Sequence, residues 1–159
     1  MKYEISQKAL SIGDDFRVRD EAGNEAFYVD GKALTLRKQF TVLDPNGRHV
    51  AEVCQKWFAF TPTFTVMRNG ILAATIYKRR FTWRQQFVID IFGSNDYTII
   101  GDFVGFEYTI RRGKRDVARV SKRFFSMTDS YGVDIQEGDP LLILCGVVVV
   151  DLVLHNQRK

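Results

Sequence analysis

Along the first 136 residues, apolar and polar positions alternate in short runs separated by turn-forming residues. Lys2 to Lys8 sets Tyr3, Ile5 and then Gln7 on one side. Asp15 to Asp20 sets Phe16 and Val18 against Arg17 and Arg19. Period-two alternation marks a half-buried strand. The same reading gives strands over 25–29, 39–43, 50–56, 63–68, 71–78, 85–91, 97–101, 107–112, 116–122 and 131–135. Asp20 to Asn24, Asp44-Pro45-Asn46-Gly47 and Arg112-Gly113-Lys114 read as turns, and Asp30-Gly31 as a hairpin turn. Asn69-Gly70 is the strongest hairpin signal in the chain. About eleven or twelve strands at this spacing predict a sandwich or a barrel, and closure into a barrel removes exposed edges.

A degenerate repeat runs through these strands: Val50 to Phe58, Leu72 to Phe81 and Val117 to Phe125. Each copy follows a glycine-containing turn and ends in Lys, then aromatics. The expectation is one hairpin unit used three times, with Lys leaving the strand and Phe or Trp turning back to the core. The copies are too irregular for a solenoid or propeller.

The pattern changes after Gly138. Asp139 and Pro140 suit the N-cap and first position of a helix. Leu141 to Val150 is then continuously apolar, and Leu152 to Leu154 extend it past Asp151. A helix apolar all round must be buried on all sides. Pro140 to Leu154 would measure about 22 Å, short of the ~30 Å of bilayer hydrocarbon, so a core helix is expected rather than a membrane span. About twelve strands leave a lumen that such a helix can fill. The predicted architecture is therefore mainly β: a closed antiparallel barrel around a central hydrophobic C-terminal helix, residues 1–159 forming one domain.

The chain's 159 residues, 45% hydrophobic and 26% charged, exclude a disordered chain or a disulfide scaffold. Charge is unevenly spread. Residues 1–52 carry 8 basic and 9 acidic side chains, 53–123 carry 13 and 5, and 124–159 carry 2 and 5. No acidic residue occurs between Glu52 and Asp90. A basic middle attracts phosphates, anionic headgroups or an acidic partner. Cys54 and Cys145 lie in apolar contexts and are expected as reduced core thiols, suiting a cytosolic protein. Met1 to Ser6 lacks the apolar stretch of a signal peptide.

Chemistry-bearing groups are few. His49 reads as a solvated turn residue, and His155 as a cation favoured at a helix end. Two His and two Cys without ligand spacing make no zinc set. No phosphate loop, dinucleotide fingerprint or nucleophile elbow is present. Asp14, Asp15, Asp129 and Asp134 are candidates for a cation site, although turn capping explains them more simply. Asp151, set among valines, needs a barrel Arg or Lys or a hydroxyl as donor. No catalytic residue, metal or cofactor is therefore assigned.

Two basic clusters remain. Lys78, Arg79, Arg80 and Arg84 are interleaved with Phe81 and Trp83. Arg111, Arg112, Lys114, Arg115, Arg119, Lys122 and Arg123 form the second. Cations beside aromatic rings suit headgroup phosphates. The absence of an RRM-type motif argues against nucleic acid.

Ser11 to Phe16, Tyr28-Val29-Asp30-Gly31, Val117 to Lys122, and Tyr131 to Ile135 before the apolar helix resemble the LURP-one-related (LOR) family and its YxjI-type bacterial branch, within the Tubby C-terminal-like superfamily. The resemblance covers almost the whole chain. It implies a twelve-stranded barrel around a central C-terminal helix, and no activity. Tubby domains bind phosphoinositides, but no Tubby lipid-binding motif is matched here. The expected function is a non-enzymatic binding or interaction module, cytoplasmic and peripheral at the membrane. It would take anionic lipid headgroups, a phosphate-bearing partner or an acidic protein at Lys78, Arg79, Arg80, Arg84, Arg111, Arg112, Lys114, Arg115, Lys122 and Arg123. The alternative is an intracellular small-ligand carrier or enzyme with a pocket at a barrel end. Nothing in the pattern specifies an oligomeric state.

Overall fold

The computed structural model describes residues 1–7, 15–31, 38–93, 95–122 and 130–157, with helix side chains described through Leu154. Its strands are β1 (Lys2–Gln7), β2 (Phe16–Asp20), β3 (Glu25–Gly31), β4 (Gln39–Leu43), β5 (His49–Gln55), β6 (Thr63–Arg68), β7 (Ile71–Lys78), β8 (Gln86–Asp90), β9 (Tyr97–Asp102), β10 (Glu107–Arg112), β11 (Arg115–Ser121) and β12 (Ser130–Ile135). One helix, α1 (Pro140–Gln157), follows. Each strand pairs antiparallel with the next, and β1 pairs with β12 to close the barrel.

Alternation decides which side chains face inward. Phe64 and Val66 of β6, and Ala74 and Ile76 of β7, are fully buried, while their neighbours along each strand are partly exposed or exposed. The β6–β7 turn is built on Asn69 and Gly70 at φ 50° and 74°. Both central residues are left-handed, as a tight hairpin between twisted strands requires. Register shifts at Val18/Arg19, Val42/Leu43, Val66/Met67 and Ile110/Arg111 all fall at one end of the barrel. Bulges of this kind raise local twist and help a sheet curl shut.

The lumen belongs to α1. Asp139 caps it: its Oδ1 accepts from the Leu141 amide at 3.0 Å and the Leu142 amide at 3.3 Å. Its Oδ2 meets Arg68 Nη1 at 2.5 Å, which ties the cap to the wall. Leu141 to Val150 are all buried. Gly146 lets the helix approach the wall closely, since a β-carbon there would stand 2.5 Å from the Ile89 Cδ1 atom. Of the described residues, no helix is long and apolar enough to cross a membrane.

Three expectations need correction. Asp30 and Gly31 are not a hairpin turn but the end of β3, paired with Thr41 and Phe40. The Gly31 amide is held there by Asp15 Oδ1 at 2.9 Å. His49 is the exposed first residue of β5 rather than a turn residue. Cys54 is half-buried and lies out of phase with the inward Ala51 and Val53 of the same strand, so of the two only Cys145 is a core thiol; neither is in a disulfide.

Because neighbouring strands alternate in direction, the connections fall into two sets. Those after β2, β4, β6, β8, β10 and β12 share the turn end, where α1 begins. Those after β1, β3, β5, β7, β9 and β11 share the loop end, where α1 finishes.

Candidate functional site

Two adjacent loops dominate the described part of the loop end. The β5–β6 loop is closed where the Lys56 amide donates to Thr63 O at 2.8 Å. The β7–β8 loop is closed where the Arg79 amide donates to Gln86 O at 2.8 Å. A bond of 3.1 Å from the Lys78 amide to Pro62 O joins the two loops. Thr63 Oγ1 donates to Thr61 O, and Thr82 Oγ1 to Arg84 O, so each loop is braced by its own hydroxyl.

The aromatics of these loops do not turn back to the core. Relative exposure is 54% for Trp57, 101% for Phe58, 90% for Phe60, 92% for Phe81 and 105% for Trp83. The expected inward turn fails because the interior is already filled by α1 and the strands' inward residues. Rings placed beyond the last paired residue have nothing left to pack into. Isolated exposed apolar residues are ordinary, but a cluster of large rings marks an interaction surface.

The structure separates the predicted basic residues. Lys78, Arg79, Arg80 and Arg84 stand at the loop end among these rings. The Arg80 guanidinium lies 4.8 Å from the Phe60 ring centre and 4.7 Å from that of Phe81, bridging the loops. Of the described residues, no carboxylate pairs with Lys56, Lys78, Arg79, Arg80 or Arg84. Lys122 is also at this end, its ammonium 4.4 Å over the Phe106 ring. Arg123 lies outside the described residues.

Arg111, Arg112, Lys114 and Arg115 are at the turn end, and three of them are paired. Arg111 meets Asp116 at 2.6 Å, Arg112 meets Glu137 at 3.2 Å and Arg115 meets Glu137 at 2.9 Å. Arg112 also donates to the Tyr97 hydroxyl at 2.6 Å. The Arg115 side chain holds the Glu137 carboxyl below its ordinary range. Arg112 and Arg115 thus belong to the joint between β12 and α1, while Arg111 ties β10 to β11. Arg119 lies on the barrel wall, 3.9 Å from Glu107.

The carboxylates gather no cation site among the described residues. Asp15 is buried and accepts from the Tyr28 hydroxyl and the Gly31 amide, each at 2.9 Å, so it pins β2 to β3. Asp134 lies within β12 and accepts from Gln136 at 2.9 Å. Asp14 and Asp129 lie outside the described residues, as does the side chain of His155. Asp151 is partly rather than fully buried, and its charge raises the pKa of the buried Tyr108 and Tyr131, which desolvation already pushes well up. Beside it, Lys38 Nζ donates to Leu152 O at 3.1 Å near the end of α1.

An open groove of about 380 Å³ follows Gln55 to Pro62, with Lys56 as its one charged lining residue. Between α1 and β2–β4 only about 10 Å³ remains, lined by apolar side chains including Cys145 and Val148. Sequence reading passed over Lys56, Trp57, Phe58 and Phe60 as site residues. Their signal was present: consecutive aromatics beside a cation, in a segment where period-two alternation stops.

The LURP-one-related family profile matches residues 1–151. The chain is 28% identical over 155 residues to "Uncharacterized protein YxjI" of Bacillus subtilis (strain 168), covering 97% of this chain and 94% of that protein. It is similar in structure to a protein from Arabidopsis thaliana solved by X-ray, with a TM-score of 0.68 and 17% identity, over 96% of this chain and 91% of that one. The last likeness shows a shared fold.

Proposed function

The chain belongs to the LURP-one-related family, and we propose that it is a non-enzymatic binding module whose loop end docks on phosphate-bearing headgroups at an anionic, cytoplasmic membrane surface. One observation carries this reading: among the described residues, Lys56, Lys78, Arg79, Arg80 and Arg84 have no carboxylate partner and stand among five exposed rings. Cations at an anionic surface contribute about 1 kcal/mol each, and aromatic rings favour the headgroup level. The carrier reading needs an internal cavity or a pocket with convergent polar groups. Among the described residues, the crevice along α1 is too small for a ligand, the groove along Gln55 to Pro62 has Lys56 as its one charged lining residue, and an open groove of about 260 Å³ with Asp116, Arg119 and Asp134 in its lining lies over β10, β11 and β12 rather than inside the barrel.

The test is co-sedimentation with phosphatidylcholine vesicles, with and without phosphatidylglycerol, at low and physiological salt. Wild type is expected to bind the anionic vesicles and to weaken as salt rises. Replacing Arg79, Arg80 and Arg84 together with Glu should weaken binding by at least ~100-fold, since three lost contacts amount to about 3 kcal/mol. Thermal stability should barely move. Indifference to anionic vesicles at low salt, or a triple variant that binds equally well, defeats the reading. Saturable binding of inorganic phosphate without vesicle binding would assign the site to a soluble phosphate-bearing partner instead.

A further inference from the structure

Phe58 and Phe81 carry two unfavourable features at once. Their φ angles are 58° and 56°, in the left-handed region where a β-carbon crowds the backbone and Gly or Asn is at ease. Their side chains are almost wholly in water, so neither ring contributes to the core. Strained backbone persists where function maintains it, and the inference runs from the outlier to the role.

The two residues are also equivalent. Counted from the amides that close the loops, at Lys56 and Arg79, Phe58 and Phe81 are each the second residue onward. Phe60 and Trp83 are each the fourth, and both are as exposed as the first pair. The Lys78–Pro62 bond and the Arg80 bridge between Phe60 and Phe81 lock the loops into one unit. The result is a tip of four exposed rings, with the exposed Lys56, Arg79, Arg80 and Arg84 in the same two loops.

We propose that Phe58, Phe60, Phe81 and Trp83 insert past the headgroups to the acyl boundary of an anionic bilayer, with the left-handed backbone at Phe58 and Phe81 forming the turns that carry their exposed rings. The inference rests on the headgroup reading above and deepens it, since adsorption by charge alone would leave the rings in water. A bilayer fits better than a folded partner on the order of charges and rings. Cations alternate with aromatics without an intervening acid, which matches a layer of phosphates over hydrocarbon.

Trp57 and Trp83, the chain's two tryptophans, report insertion directly. With phosphatidylcholine/phosphatidylglycerol vesicles carrying brominated acyl chains, wild-type fluorescence should shift to the blue and be quenched. The double variant Phe58→Gly, Phe81→Gly should keep or raise its melting temperature, because glycine relieves the backbone. At physiological salt it should bind vesicles about tenfold or more weakly, having lost two buried rings. Vesicle binding without quenching would overturn insertion and leave the headgroup reading intact. Absence of vesicle binding at low salt would defeat both. A double variant that binds like wild type, or melts markedly lower, would show that the rings are not membrane pins. Self-association abolished by the double substitution, with no quenching, would instead assign the tip to a second copy of the chain.

Discussion

The Cys145 thiol faces a crevice that holds no more than about 10 Å³ of free space. Burial pushes its pKa up to about 12, the Asp139 carboxylate adds to the rise, and Arg68 opposes it. A raised thiol pKa means that the folded protein keeps the proton well above the ordinary value of ~8.5. Cys54, half-buried on the outside of β5, has no such shield. Iodoacetamide should therefore label Cys54 alone in the native state. Raising the pH from about 7 to about 9 should leave Cys145 unlabelled, while denaturant should equalise the two. Native labelling of both at similar rates would contradict the sealed lumen. Both cysteines look alike in sequence, because each has apolar neighbours. What separates them is phase: Cys54 is one step off the inward Ala51 and Val53, whereas on an all-apolar helix inside a barrel every phase is buried.

At the level of the element, strands and helix follow local chemistry closely enough to be read from the chain. Thr63–Arg68, Ile71–Lys78 and Glu107–Arg112 have the bounds that alternation predicts, and the Asp139 cap sits where an N-cap acid before Pro140 should. Asp30-Gly31 misleads because its turn chemistry is overridden by a tertiary partner, Asp15, 16 residues upstream of Gly31. The two aromatic loops mislead for another reason. Alternation is silent between strands, and the general rule that large apolar side chains go inside presumes that room remains inside. Val148 lies fully within that filled space. Val148→Asp should prevent folding, because an unpaired charge there costs several kcal/mol against a typical stability of about 5–15 kcal/mol. Val148→Ala should fold with a lowered melting temperature. Circular dichroism and gel filtration separate the outcomes, and a soluble, cooperative Val148→Asp variant would mean that α1 does not occupy the lumen.

For the whole molecule, closure of the ring leaves no strand edge for a partner strand to extend, so contact surfaces lie on the outer wall and the two ends. The two ends differ in chemistry. The described loops of the loop end present Lys78, Arg79, Arg80 and Arg84 among exposed rings, whereas the turn end engages Arg111, Arg112 and Arg115 with Asp116 and Glu137. The sequence groups residues 111–123 as one cluster, but membership of an end depends on strand direction, which only the count of strands provides. Replacing Arg111, Lys114 and Arg115 together with Glu should accordingly leave vesicle binding within about twofold of wild type, a change under ~0.5 kcal/mol. A loss as deep as that of the loop-end triple would mean that net charge, not the loop end, governs adsorption. The threaded helix has a further consequence, in the order of synthesis. A ribosome makes the wall before its filling, and β1 cannot join β12 until residues as far apart as Tyr3 and Val133 both exist. At about 5–20 residues per second, the 18 residues of α1 take roughly 1–4 s to emerge. During that interval Ile5, Phe16, Phe40, Phe64 and Phe87 have no helix to cover them. The protein's most aggregation-prone moments therefore fall on the ribosome, and pauses in translation between β12 and α1 would lengthen them.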